Sequence, residues 1–108
     1  MTITLPPPIS AYYSAEQSDD FEALARCFSP AGVVHDEGRT IEGRAAIAAW
    51  MAEAKAKYHH QTEVLSAREA DGAWVVRVRL SGGFPNSPVT LEQAFRLANG
   101  AIAALDIH

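Results

Sequence analysis

The spacing of apolar residues changes near residue 59, and that change limits the folds open to this chain. Before it, apart from a short hairpin pattern at residues 33–42, apolar side chains recur every three or four residues, as on one face of an α-helix. After it, they alternate with polar ones, as in a strand with one buried face. Helices followed by strands are the order of α+β domains, so we predict that class.

Three helices are predicted in the first half. Pro8 can open the first, because a proline fits the first turn of a helix. Asp19, with Glu22 three residues later, resembles a capping box and starts the second, which ends at the segment 29–32. The third covers residue 44 to about residue 58 and buries one apolar face. Its solvated face is predicted to carry Glu53, Lys55 and Lys57.

The strands are delimited by turn signals. Glu37-Gly38, Asp71-Gly72 and Asn99-Gly100 are typical of tight turns between paired strands. The wider loop 81–88 carries two prolines and is either a rim of a pocket or an inert connection. We expect one domain over residues 1–108, with a cone-shaped, curved, mostly antiparallel sheet packed on three N-terminal helices and enclosing a pocket. The strands are predicted at about 33–36, 39–42, 60–70, 73–81, 88–98 and 101–107.

Composition and charge exclude several functions. The net charge is −4, and the 9 Lys and Arg residues are scattered along the chain. We therefore expect no continuous basic surface that would bind nucleic acid or anionic lipid. Cys27 is the one cysteine, which excludes an intrachain disulfide and favours a small buried hydrophobe. No segment approaches the roughly 20 apolar residues of a membrane span, and no signal peptide is recognisable. We predict a cytoplasmic protein without nucleic-acid or membrane partners.

Asp36 is the first candidate for chemistry. It lies inside a predicted strand, where aspartate is disfavoured, and it shares a strand face with Val34. If that face lines a cavity, the carboxylate can serve as a general base. The alternative is a solvated residue beside the Glu37-Gly38 turn.

Other polar candidates lie on neighbouring elements. Gln93 has an inward strand position beside Phe95, so its amide either bridges core groups or donates to a ligand oxygen. Tyr12 and Tyr13 are adjacent, and a tyrosine hydroxyl over an apolar cavity can donate to an oxyanion, although simple packing is the alternative. His60 shares strand parity with Thr62, Val64 and Ser66, so it is a candidate for the mouth of a pocket if that face looks inward. The histidines lack metal-site spacing, so no metal is expected.

Three segments give the chain a family resemblance: Asp20–Leu24, Val33–Asp36 and, most specifically, Ile41–Trp50. In this order and spacing the chain resembles the nuclear transport factor 2-like superfamily, and within it the ketosteroid isomerase and polyketide cyclase (SnoaL-like) relatives. The resemblance implies that Asp36 occupies the position of the catalytic base and Tyr12 that of an oxyanion donor. Gln93 departs from the isomerases, which carry a protonated acid there.

The resemblance implies a function. We expect a cofactor-independent acid–base enzyme of isomerase, cyclase or hydratase type, acting on a small, mostly apolar carbonyl compound. Asp36 would be the base, while Tyr12 and Gln93 would stabilise the enolate. The alternative is a non-catalytic small-ligand-binding or dimerisation domain. Ligand contacts are predicted from Trp50, His60, Phe95 and Val34.

The resemblance also implies an assembly. The outer face of the sheet is expected to form a homodimer, because charged side chains of opposite sign there can pair across a two-fold axis. These residues are Arg77, Arg79, Glu92 and Arg96.

Overall fold

The computed structural model describes residues 3–107 and has the predicted order of three helices and a β-sheet. The α+β class is confirmed. No helix in this range is both long and apolar enough to cross a membrane. The elements are α1 (Pro7–Gln17), α2 (Phe21–Arg26), β1 (Phe28–Asp36), β2 (Arg39–Glu42), α3 (Arg44–Tyr58), β3 (Gln61–Ala70), β4 (Ala73–Ser81), β5 (Val89–Ala98) and β6 (Ala101–Ile107).

The strands of the described chain form one mostly antiparallel sheet in the order β2-β1-β6-β5-β4-β3. The β1–β6 pair is parallel, whereas the other neighbouring pairs are antiparallel. Gln93 on β5 pairs with Ile107 on β6. Asp36 on β1 lies one residue beyond the paired His35 and Asp106. The register therefore brings Asp36 and Gln93 to the same end of the inner sheet face.

Local turn chemistry forms the two long hairpins as predicted. Asp71 and Gly72 have φ of 52° and 77°, and Asn99 and Gly100 have φ of 53° and 76°. Both pairs thus have the left-handed backbone of a type I′ turn, whose twist matches that of the flanking strands. Alternate residues of these strands face the helices and form the core, including Val76, Val78, Phe95 and Leu105.

The boundary between α2 and β1 differs from the prediction. The N-cap of α2 is Asp20, whose carboxylate accepts a hydrogen bond of 3.1 Å from the backbone N–H three residues later. Asp19 instead has a left-handed backbone, with φ of 54°. Phe28 belongs to β1, not to α2, because it pairs with Ile102 of β6. A long-range strand pairing therefore decides a boundary that helical spacing had placed later.

Candidate active site

A cavity of about 520 Å³ lies between the inner sheet face and the helices α1 and α3. That volume is within the usual range for sites that bind small molecules. Among residues 3–107, no three His, Cys, Asp or Glu side chains are grouped closely enough to hold a metal ion. The polar side chains of the cavity wall include Tyr12, Tyr13, Glu16, Asp36, His60, Thr62 and Gln93.

Asp36 is held in the cavity wall by α3. The indole Nε1 of Trp50 donates a hydrogen bond of 3.1 Å to Asp36 Oδ2. Asp36 is half-buried, and its Oδ1 has no hydrogen-bond partner among residues 3–107. The bond fixes the orientation of the carboxylate and leaves one oxygen free to accept a proton. Strand parity left open whether Asp36 faces a cavity or solvent, and the contact with Trp50 was not foreseen.

Tyr12 offers a hydroxyl to the same cavity. Its ring is buried against the rings of Tyr13, Phe28 and Phe95, with centroid distances of 5.2, 6.0 and 5.4 Å. Burial, followed by the neighbouring Tyr13, Glu16 and Asp36, raises the pKa of Tyr12 well above its ordinary value. The hydroxyl therefore stays protonated. Nothing in the described part of the chain accepts its hydrogen bond, so it can donate to a ligand oxygen.

Tyr13 and Gln93 form a buried pair. The Tyr13 hydroxyl donates a hydrogen bond of 2.6 Å to Gln93 Oε1 across 80 positions of sequence. The amide NH2 of Gln93 has no such partner in the described residues, and Gln93 lines the cavity. The two interpretations of Gln93, a bridge between core groups and a donor to a ligand, thus each describe part of its environment. Its oxygen bridges to a core tyrosine, and its NH2 group can donate to a ligand.

The Tyr13–Gln93 bond predicts a stability effect. We expect Tyr13→Phe to lower the free energy of unfolding by about 1–3 kcal/mol, because it leaves the buried Gln93 oxygen without a donor. The double variant Tyr13→Phe/Gln93→Leu should recover much of this loss, because both polar partners are gone. Urea unfolding measures both. Wild-type stability in Tyr13→Phe would contradict the buried bond.

Two of the predicted ligand contacts do not reach the cavity. Val34 and Phe95 are completely buried and are absent from the cavity wall, so we correct their role to that of core residues. Phe95 supports the wall from behind through its ring contacts with Tyr12 and Tyr13. Alternation along a strand predicts the face but not the depth of a side chain. Trp50 and His60 do line the cavity.

A second polar group, missed as a site in the sequence, occupies the other end of the cavity. Glu16 is 2% exposed, and its carboxylate accepts a hydrogen bond from the Thr62 hydroxyl. Lys55 Nζ lies 3.3 Å from Glu16 Oε1 and donates a hydrogen bond of 2.7 Å to the His60 carbonyl. Lys55 is therefore mostly buried, not solvated as predicted. The sequence signal for this site was the position of Glu16, one helical turn after Tyr12 and within an apolar helical stripe.

Sequence comparison then places the chain among known proteins. The family model for the SnoaL-like domain matches residues 9–105. The chain belongs to this family. The SnoaL-like domain is 38% identical to a candidate polyketide cyclase from Sinorhizobium meliloti, with 96% of this chain and 95% of that one covered and a TM-score of 0.92. No curated protein matches the domain in sequence.

More distant solved structures share the fold of this SnoaL-like domain. A Catenulispora acidiphila protein with a ketosteroid isomerase-like fold, solved with trimethylamine, is 20% identical over 97% of this chain and 86% of that one, with a TM-score of 0.83. Bal32a, from a soil-derived mobile gene cassette, is 20% identical over 94% and 86%, with a TM-score of 0.81. At this identity both show the fold alone, which is nuclear transport factor 2-like.

Proposed function

We propose that this SnoaL-like domain is a cofactor-independent acid–base enzyme acting on a small, mostly apolar carbonyl compound. The supporting observation is the convergence of three groups on one cavity: the Asp36 carboxylate held by Trp50, and the Tyr12 hydroxyl and Gln93 amide NH2, which have no hydrogen-bond acceptor among residues 3–107. The likeness to a candidate polyketide cyclase supports the same class of chemistry.

The proposed reaction begins with a proton transfer. Asp36 Oδ1 accepts a proton from the carbon next to the carbonyl, the electron pair of the broken C–H bond forms a C=C bond, and the π pair of the carbonyl moves onto its oxygen. Tyr12 and Gln93 donate hydrogen bonds to the resulting enolate oxygen, where charge has developed. Asp36 then returns the proton to a different carbon in an isomerisation. In a cyclisation, the enolate carbon instead attacks a second carbonyl of the same molecule.

Proton exchange tests the proposal without knowledge of the natural substrate. In D2O, an enzyme of this kind should accelerate the replacement of α-hydrogens by deuterium in apolar ketones such as cyclohexanone and acetophenone, which proton NMR follows directly. Cyclohex-3-enone adds an isomerisation readout. A folded protein that accelerates neither exchange nor isomerisation of these probes beyond the buffer rate would argue against the enzyme.

A second candidate is a small-ligand-binding domain without chemistry. Gln93 favours it, because an amide stands where the isomerases carry an acid. The Catenulispora relative, solved with trimethylamine, is compatible with it. Saturable binding of acetophenone with no proton exchange would select this alternative.

We propose further that the protein acts in the cytoplasm as a homodimer joined through the outer sheet face. Within the described chain, Arg68 pairs with Glu92 at 3.4 Å and Arg79 pairs with Glu63. Arg77 and Arg96 are exposed there without a carboxylate partner in residues 3–107, so they are free to pair with a second copy.

Sedimentation tests the dimer. We expect a dimer at micromolar concentration that Arg77→Glu weakens, because the reversed charge repels its partner. Lys57→Glu on the exposed side of α3 is the control and should leave the dimer intact. A monomeric wild-type protein would refute this assembly.

A further inference from the structure

The polar side chains at the far end of the cavity form a compact group, which we call the Glu16 cluster: Glu16, Lys55, His60 and Thr62. The side chains of Glu16, His60 and Lys55 are only 3%, 9% and 11% exposed. Three members line the main cavity, and all four also line a polar recess of about 430 Å³ on the other side. The cluster therefore forms a buried polar wall that a ligand in the cavity would contact.

One hydrogen-bond acceptor in this wall has no donor among the described residues. Lys55 Nζ donates to the His60 carbonyl and also lies 3.8 Å from Asp19, and the Thr62 hydroxyl donates to Glu16 Oε2. Glu16 Oε1 makes no hydrogen bond within the described residues, although Lys55 lies 3.3 Å away as an ion pair. A buried acceptor without a donor is costly, which marks the cluster as incomplete.

His60 adds a further acceptor. Burial, and then the positive charge of Lys55, lower the pKa of His60 despite the opposing effect of Glu16 and Asp19. The ring is therefore neutral near pH 7, and one of its nitrogens carries a lone pair. Nε2 lies 4.0 Å from Glu16 Oε2, too far for a hydrogen bond between them.

We propose that the Glu16 cluster is a second ligand subsite that accepts a hydrogen bond from a hydroxyl group of the carbonyl compound. A neutral donor fits, because the burial and the Lys55 charge that keep His60 neutral would also disfavour an ammonium group. A second carbonyl does not fit, because it would add one more acceptor. This inference rests on the proposed function for the carbonyl end of the ligand.

The helix geometry sets the spacing of the two polar ends. Tyr12 and Glu16 lie one turn apart on α1, about 6 Å along the helix axis. The ligand class is therefore a hydroxylated ketone in which several bonds separate the hydroxyl and the carbonyl. Aromatic and apolar residues of the same cavity wall, including Trp50, Met51 and Leu91, match an apolar spacer.

Three related ketones test the subsite by calorimetric titration. 4′-Hydroxyacetophenone carries the donor, 4′-methoxyacetophenone keeps the oxygen without the donor, and acetophenone lacks both. We expect the hydroxy ketone to bind about tenfold more tightly than the methoxy ketone, the value of one good hydrogen bond. His60→Phe should remove this preference. Glu63→Gln, on the outer face of β3 next to Thr62, is the control and should keep the preference.

A second variant keeps the test valid if His60→Phe fails to fold. Glu16→Leu/Lys55→Met removes both charges together with the carboxylate acceptor, so no buried charge is left unpaired, and it should also remove the preference. Equal binding of the hydroxy and methoxy ketones, persistence of the preference in both cluster variants, or no binding of any of the three would overturn the subsite. A wild-type protein that shows the preference but exchanges no α-protons would overturn only the catalytic proposal.

Discussion

Asp36→Asn is expected to slow α-proton exchange in the probe ketones by about 10²- to 10⁴-fold, the usual contribution of a general base. Asparagine has nearly the same size, but its amide cannot take up the proton. The amide oxygen can still accept the hydrogen bond from Trp50, so the cavity wall should keep its shape. Proton NMR in D2O measures the exchange rate, and circular dichroism checks that the fold is retained.

The matched control for this experiment is Glu42→Gln. Glu42 is an exposed carboxylate on β2, next to the same hairpin but absent from the cavity wall. Its replacement should leave the exchange rate unchanged. Full exchange activity in a folded Asp36→Asn protein would refute Asp36 as the base. Equal losses in both variants would show a general effect of charge near the hairpin.

Lys55→Met should produce the largest loss of stability, about 3–5 kcal/mol, because it leaves the Glu16 carboxylate buried without its cation. Such a loss is a large part of the 5–15 kcal/mol by which a typical domain is stable. The double variant Glu16→Gln/Lys55→Met should regain most of it, since removal of both charges of a buried pair is often nearly neutral. Urea denaturation of the single and double variants measures the coupling.

Lys57→Met provides the control on the same helix. Lys57 is exposed, and its ammonium lies 5.1 Å from the centroid of the Tyr58 ring. Loss of that cation–π contact should cost no more than about 1 kcal/mol. If Lys55→Met were as stable as Lys57→Met, the Glu16–Lys55 pair would not be a buried ion pair in solution.

The sequence predicts best those features that depend on neighbours along the chain. The bounds of α3 and the two type I′ hairpins follow from helical spacing and from Asp-Gly and Asn-Gly turns, and they agree with the structure. The start of β1 does not, because Phe28 is placed there by β6, which lies far away in sequence. Local patterns carry no information about such a partner.

The candidate site, like the fold, is predictable from the sequence only where it depends on neighbours along the chain. Strand parity places Gln93 on the inner face and Asp36 on the same face as Val34, and helical spacing places Tyr12 and Glu16 on one side of α1. The pairs that give these groups their chemistry join distant elements: Trp50 with Asp36, Tyr13 with Gln93, and Lys55 with Glu16. Each requires the relative placement of two elements, which single-sequence periodicity does not contain.

The position of β6 between β1 and β5 has a consequence for the order of folding. The hairpins β3–β4 and β5–β6 close through short turns, whereas β1 can join the sheet only beside β6. Contacts between distant parts of a chain carry a larger loop-closure cost and form late. The seam between β1 and β6 is thus expected to be the last part of the sheet to form. The same step brings Asp36 level with Gln93, on the opposite side of β6. The candidate site is therefore completed only at the end of folding.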